Sequence, residues 1–392
     1  MRGIEPIHRA LEAAVEGERI PGIAATAANA DGVIFEGAAG RRCAGQSAPM
    51  MSNSVFRIAS MTKAITAAAA MQLVEQGRLA LDQPAKEILP LLGETKVLDG
   101  FDANGPILRR PRSEITLRNL LTHTAGFAYD IWNANMARYM RENEIPAMRT
   151  AKLAAFAVPL ARDPGERWEY GVNIEMVGRM VETVSGLDLE TYLQKHILGP
   201  LGMRDTSYIA RPSWESRLAA LHGRKADGTL DVIASPPIDE AKRGFFPGGG
   251  GLYSTAPDYL RFLRALMNGG ELEGTRILKP ETVALMGENH MGALNVQPLP
   301  TQNPQLSADV DLMPGITKKW GLSFLINSEA VPGGRSAGSL AWAGLNNTYF
   351  WLDPKAKVAA VFMTQILPFA DPIALAAFER FERAVYEAVG RA

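Results

Sequence analysis

The sequence predicts an α+β fold, with an antiparallel sheet flanked by helices and formed from both ends of the chain, interrupted by a mainly helical insertion. Three observations predict it. Strand patterns cluster near the two ends, at 22–40 and 320–364. The middle, roughly 85 to 240, carries several helical patterns and little strand pattern. An apolar helix at 60–76 precedes that middle and has no polar face to give to solvent, so it must be buried. The expected division is one domain from 1–84 and 245–392 and a helical domain from 85–244.

Taken in order, residues 6–18 place Ile7, Ala10, Leu11, Ala14 and Val15 at helical spacing. Ile23–Ala27 and Val33–Phe35 flank Asp31-Gly32, a hairpin turn signal. The helix at 60–76 lacks internal Gly and Pro and stops at Gly77. Pro84 opens a short helical stretch, and another follows Ser113 over 114–122. Residues 172–185 read as a helix ended by Gly186, and 188–197 as the next, with Asp188 as its N-cap. Segment 244–251, with four glycines in a row from Gly248, reads as a loop with unusual backbone angles. Trp320–Ile326 reads as one strand, and Asn347–Leu352 pairs with Val358–Thr364 across Asp353-Pro354. An amphipathic helix over 372–390 closes the chain.

Composition narrows the function. Lys plus Arg (41) nearly cancels Asp plus Glu (42), so no basic excess favours nucleic acid. A single cysteine, Cys43, excludes an internal disulfide framework and a cysteine-based zinc site. The longest strongly apolar stretch, 64–74, is far short of the roughly 20 residues that span a bilayer. Met1–Pro6 lacks the apolar core of a signal peptide. The expectation is a cytoplasmic protein that binds a small molecule, without nucleic-acid or membrane partners. No pair among the five histidines has metal-ligand spacing and no Gly-rich phosphate loop is present, so neither metal nor cofactor is expected.

The chemistry concentrates in Ser60-Met61-Thr62-Lys63, where a strand-like run from Val55 to Ile58 meets the buried helix. Positions i and i+3 share a helix face, so the Ser60 hydroxyl and the Lys63 amine can meet. A lysine on an apolar helix loses solvation, which favours the neutral amine that can take the serine proton. The helix start adds free N–H donors and positive potential at the serine. The tetrapeptide alone is weak, because a helix N-cap with a snorkelling lysine has the same spacing. Tyr170, in Arg167-Trp168-Glu169-Tyr170-Gly171-Val172-Asn173, stands before a helix and could share the serine proton, or simply pack there. Leu340-Ala341-Trp342-Ala343-Gly344-Leu345 reads as a strand edge whose glycine lets a substrate approach.

Together these segments resemble the serine β-lactamase and penicillin-binding-protein superfamily, and most of all its family VIII carboxylesterases, over nearly the whole chain. Leu120–Gly126, Pro200–Thr206 and Gly249–Thr255 support the likeness. The resemblance implies a β-lactamase-like fold, with Ser60 as acylated nucleophile, Lys63 as its proton acceptor and Tyr170 as partner base. It implies an oxyanion hole from the Ser60 and Leu345 N–H groups, and a third motif at Trp342-Ala343-Gly344. Two departures separate the chain from the lactamases. Val172 stands where they carry Asn, and Trp342 stands where a cation would attract a substrate carboxylate. The expected reaction is hydrolysis of short or medium acyl esters through an acyl-enzyme. Acyl transfer to an alcohol comes second and β-lactamase or D-amino-acid peptidase activity third; a non-catalytic acyl-binding module would have lost the catalytic set.

Two other features compete. Gly334-Arg335-Ser336-Ala337-Gly338 matches a nucleophile-elbow string, but it lacks the strand before and helix after, and every histidine lies upstream. It reads as a loop. His123 reads as a structural histidine, and Phe127, Tyr129 and Trp132 either rim an acyl pocket or pack the insertion.

Overall fold

The computed structural model describes residues 3–390; Met1 and Arg2, on which part of the leader reading rests, lie outside the described residues. Helix α1 (Glu5–Val15) leads into strands β1 (Gly22–Asn29) and β2 (Gly32–Gly40), paired antiparallel across the Asp31-Gly32 turn. Helix α2 (Thr62–Glu75) follows, and α3 (Asn173–Ser185) and α4 (Ala256–Met267) lie further on. The sheet resumes with β3 (Lys318–Trp320), β4 (Leu325–Asn327), β5 (Leu340–Gly344), β6 (Thr348–Asp353) and β7 (Val358–Met363), before α5 (Pro372–Ala388). The seven strands run in the order β3-β4-β5-β6-β7-β1-β2, every pair antiparallel. The two ends of the chain thus meet where β7 pairs with β1.

Both faces of this sheet are covered, and alternation along β6 shows how. Successive side chains point to opposite faces of a strand. Tyr349 stacks on Phe378 of α5 and Trp351 meets it edge to face on one side, while Phe350 meets Tyr259 of α4 on the other. All six residues of β6 and all six of β7 are buried, as two covered faces demand. Helix α2 is enclosed from Thr62 to Leu73 and packs against α3. Its run Ala67–Ala70 keeps its surface low, which allows close packing.

Three expectations change. Trp320–Ile326 is not one strand: Gly321–Phe324 forms a turn, with Ser323 at φ 75° and the Gly321 N–H bonded to the Phe324 carbonyl, so the run is a hairpin of β3 and β4. A β-carbon at Gly321 would stand 2.3 Å from the Met286 carbonyl oxygen, so tertiary contact selects the bend. The middle of the chain is not nearly free of strands, because Val97–Asp102 pairs with Gly105–Arg109, and Leu221–Arg224 with Leu230–Ile233. Each hairpin is buried only where its first strand begins, at Val97–Leu98 and Leu221–His222, and charged residues dilute its alternation. In the loop at 244–251 only Gly251 takes a positive φ, 99°. Gly248 and Gly249 are needed for closeness instead: a β-carbon would lie 2.4 Å from the Ile174 carbonyl oxygen at the first and 2.4 Å from both Glu175 carboxyl oxygens at the second.

Candidate active site

A two-residue strand, Phe56–Arg57, pairs with Tyr253–Ser254 and delivers the chain to a tight turn before α2. Ala59 sits at φ 43°, a left-handed conformation that is costly for a residue with a β-carbon. The turn is held from outside: the Ile58 N–H bonds the Leu252 carbonyl and the Tyr259 hydroxyl donates to the Met61 carbonyl. It lifts Ser60 onto the first helical turn, and Lys63 lies one turn on with none of its surface exposed.

The Lys63 ammonium makes three hydrogen bonds. Nζ donates to Ser60 Oγ at 3.0 Å, to the Tyr129 hydroxyl at 3.2 Å and to the Gly249 carbonyl at 2.7 Å. That uses all three donors of an ammonium. As a neutral amine it can keep the last two and turn its lone pair to Ser60. Tyr129 in turn donates to Glu175 Oε1 at 2.9 Å. Burial raises Glu175 above the ordinary carboxylate range, against the opposing charge of Lys63 and the Tyr129 hydrogen bond. Burial, followed by the charge of Glu175, pushes the Tyr129 phenol well above its usual range.

Tyr170 stands apart from this chain of bonds. Its ring faces Lys63, with Nζ 4.9 Å from the ring centre, but its hydroxyl bonds neither Lys63 nor Ser60. The Tyr170 oxygen accepts the Trp342 indole N–H at 3.0 Å. Trp342 lies behind Tyr170, packed on Trp320, and is absent from the wall of the cavity at Ser60. Trp342, placed by the third motif near the substrate, here meets the phenol and stands behind the cavity wall. Gly344 also serves a neighbour other than substrate: a β-carbon there would lie 2.3 Å from the Ile58 carbonyl oxygen, so the missing side chain lets β5 close on the nucleophile turn. β4 pairs only with Leu340 and Ala341, which leaves Trp342 to Gly344 an unpaired edge on that side. Among the described residues neither the Ser60 nor the Leu345 N–H is engaged, and both residues border one cavity.

That cavity, of about 190 Å³, is mostly apolar, walled by Tyr129, Ile131, Trp132, Met148, Ile238 and Leu345 beside Ser60. Of the three aromatic residues weighed earlier, Tyr129 and Trp132 line it, while Phe127 is fully buried elsewhere. Asp130 and Arg149 supply charge at its rim, and the buried Glu175 borders it from within. Desolvation lifts the Asp130 carboxyl above its ordinary range, with Arg149 opposing. His123 is fully buried, its Nδ1 facing the Asn173 side-chain amide at 2.9 Å. Burial, then the nearby charge of Lys63, drives its pKa well below the usual histidine range. It is a neutral structural group. Asn173, one position later than the lactamase pattern, is its holder. Ser336 lies in the loop between β4 and β5, its N–H bonded to Asp353, beside an Arg335 locked onto Glu382.

Sequence reasoning missed Tyr129 as the phenol bonded to Lys63, and missed Glu175 altogether. The signal for Glu175 was a carboxylate between Ile174 and Met176 near the start of a helix, masked by Arg179 four positions on, which offers an ordinary surface partner in sequence but pairs with Glu182 in the structure. Among the described residues no cluster of His, Cys, Asp and Glu could hold a metal ion, and no helix is long and apolar enough to cross a membrane.

Comparison with known proteins bears on the family and the fold. The Beta-lactamase family model matches residues 7–384. Monacolin J acid methylbutanoyltransferase from Aspergillus terreus is 32% identical over 96% of this chain and 94% of its own length. Lovastatin esterase from Penicillium rubens is 32% identical over 91% and 92%. A mutant simvastatin synthase from Aspergillus terreus superposes with a TM-score of 0.85 at 31% identity, over 99% of this chain and all of that one. A match across nearly the full length, in sequence and in fold, leaves one conclusion: the chain belongs to the Beta-lactamase family, within the serine β-lactamase and penicillin-binding-protein superfamily.

Proposed function

We propose that this protein is a serine acyltransferase that takes an acyl group from an ester onto Ser60 and passes it to an alcohol. One observation carries the reading: the Lys63 amine, enclosed by protein, lies 3.0 Å from Ser60 Oγ at the edge of an apolar cavity. Lys63 accepts the serine proton as Oγ attacks the ester carbonyl. The free N–H groups of Ser60 and Leu345 receive the developing oxyanion, where one donor is worth roughly 3–4 kcal/mol in other acyl-transfer enzymes. Tyr170 accepts a hydrogen bond from Trp342 and spends none of its own, so its proton is available to the leaving oxygen, and the indole N–H steadies the phenolate left behind. An alcohol then enters, loses its proton to the same groups and removes the acyl chain.

Transfer stands ahead of the hydrolysis expected from sequence because relatives of at least 30% identity include several named as acyltransferases. Hydrolysis remains the second reading, favoured by the similar esterase. Both share the acyl-enzyme. The test is to follow a p-nitrophenyl ester while adding a co-substrate alcohol. New ester formed at the expense of free acid supports transfer, and acid as the sole product at every alcohol concentration makes water the acceptor.

A further inference from the structure

Beyond Ser60 and its amine lies a buried carboxyl that the reaction as written does not use. Glu175 is 3% exposed. Its Oε1 accepts from Tyr129, whose oxygen accepts from Lys63, so the donor directions run unbroken from amine to carboxyl. Its Oε2 is buried without any hydrogen-bond partner. The carboxyl packs flat on Gly249, in the space a β-carbon would fill. An ionised oxygen buried with no donor is far more costly than the carbonyl oxygen of a neutral acid.

We propose that Glu175 is the resting place of the Lys63 proton, reached through Tyr129, and that this transfer creates the neutral amine that accepts the Ser60 proton. Lys63 gives the proton it directs at the Tyr129 oxygen, and the Tyr129 hydroxyl proton moves to Glu175 Oε1. One N–H and one phenolic O–H bond break; one phenolic O–H and one carboxylic O–H bond form. The products are an amine, a phenol and a neutral acid, and the net charge stays zero; the amine then rotates about its Cε–Nζ bond and the phenol about its C–O bond, so that the lone pair faces Ser60. Glu175 keeps that proton through turnover, while Lys63 takes the proton of Ser60 and returns it to Ser60 Oγ when the acyl group departs. Glu175 touches no reacting atom, so it is a positioning residue that sets the charge of the amine. Burial lifts its carboxyl above the ordinary range, the direction this role needs.

The ionisable groups around the pair are few. Lys63 comes from α2, Tyr129 and Asp130 from the loop after 117–121, and Tyr170 from the turn before α3. Tyr208, held by the Pro247 carbonyl, feels Glu175 from the far side, and His123 faces Lys63. Tyr129, Tyr208 and His123 are all shifted toward their neutral forms. Asp130 is lifted too, with Arg149 beside it.

The inference rests on the acyl-enzyme reading, and the test separates the two. The pH profile of kcat/KM for a p-nitrophenyl ester is measured for the parent, Glu175→Gln and Tyr129→Phe, with Ser60 acylation followed by intact mass. An amide cannot take the proton, so Lys63 must then release it to solvent. The acid limb of Glu175→Gln is expected to move up by at least about one pH unit, with at least about tenfold loss near pH 6 and a far smaller loss near pH 9. Tyr129→Phe, which lacks only the relaying hydroxyl, is expected to shift the same way and carries the test if the Gln variant does not fold. An unmoved limb in a folded variant overturns the inference. So does a limb moved to lower pH, the result for a carboxylate that merely steadies the ammonium. A parent enzyme never acylated on Ser60 overturns the underlying reading and the inference with it.

Discussion

Gly249→Ala offers a test whose size can be worked from distances. The backbone at 249 is not in the left-handed region, so alanine meets no conformational penalty there. The obstacle is the Glu175 carboxyl, whose two oxygens would each lie 2.4 Å from the new β-carbon, against ordinary contacts of 3.4 Å and beyond. Something must yield by about 1 Å. The Gly249 backbone is tied by the Lys63 bond to its carbonyl, 2.7 Å long, so the carboxyl moves. A shift of that size breaks its 2.9 Å bond to Tyr129. Overpacking of this kind costs about 1–3 kcal/mol of stability, and loss of a hydrogen bond to a buried polar group adds about 1–3 kcal/mol. Urea unfolding should read the sum of the two, and kcat/KM should fall by at least about tenfold as Tyr129 loses its acceptor. The cycle with Glu175→Ala completes the assay. Removing the carboxyl removes the clash, so Gly249→Ala should cost little stability in that background. Equal destabilisation with and without Glu175, or a Gly249→Ala enzyme of parental stability and rate, would refute the reasoning.

Other expectations follow from single contacts. Ser60→Ala should abolish turnover and labelling by a fluorophosphonate while circular dichroism stays native; labelling elsewhere with retained turnover removes Ser60 from the mechanism. Trp342→Phe deletes the N–H held by Tyr170, and since a hydrogen bond to a charged group contributes about 1.5–3 kcal/mol, kcat should drop by about ten- to a hundredfold with KM little changed; an unchanged kcat would free Tyr170 from the chemistry. Asp258, in the first turn of α4, is pushed up to about 6, chiefly by burial, from an ordinary 3.8. Its contribution to stability is therefore full below about pH 3.8 and lost as the pH rises through about 6. Asp258→Asn, which cannot ionise, should gain on the parent between pH 5 and pH 8 in urea unfolding, and a pH-independent difference would contradict that sign.

Periodicity and turn chemistry settle much of this molecule locally. The Asp31-Gly32 hairpin, the Gly77 and Gly186 helix ends and the Asp188 cap all follow from residues within a few positions of one another, as does the apolar run that buries α2. The meeting of Ser60 and Lys63 belongs with them, since one helical turn suffices to join them. Contacts between distant segments escape such reading. Whether 320–326 runs straight or folds depends on the Met286 carbonyl against Gly321. Which phenol bonds the amine depends on how the loop at 129 and the turn at 170 pack over α2, and both tyrosines were visible beforehand. Glu175 gains its meaning only from a glycine seventy-odd residues away that leaves room for it. The amino-acid sequence alone determines that Ser60 and Lys63 meet, because short-range geometry is a property of the helix. Their further hydrogen-bond partners, Tyr129 and Glu175, were decided by tertiary structure, because burial and hydrogen-bond partners are set by chain segments that no local pattern brings together.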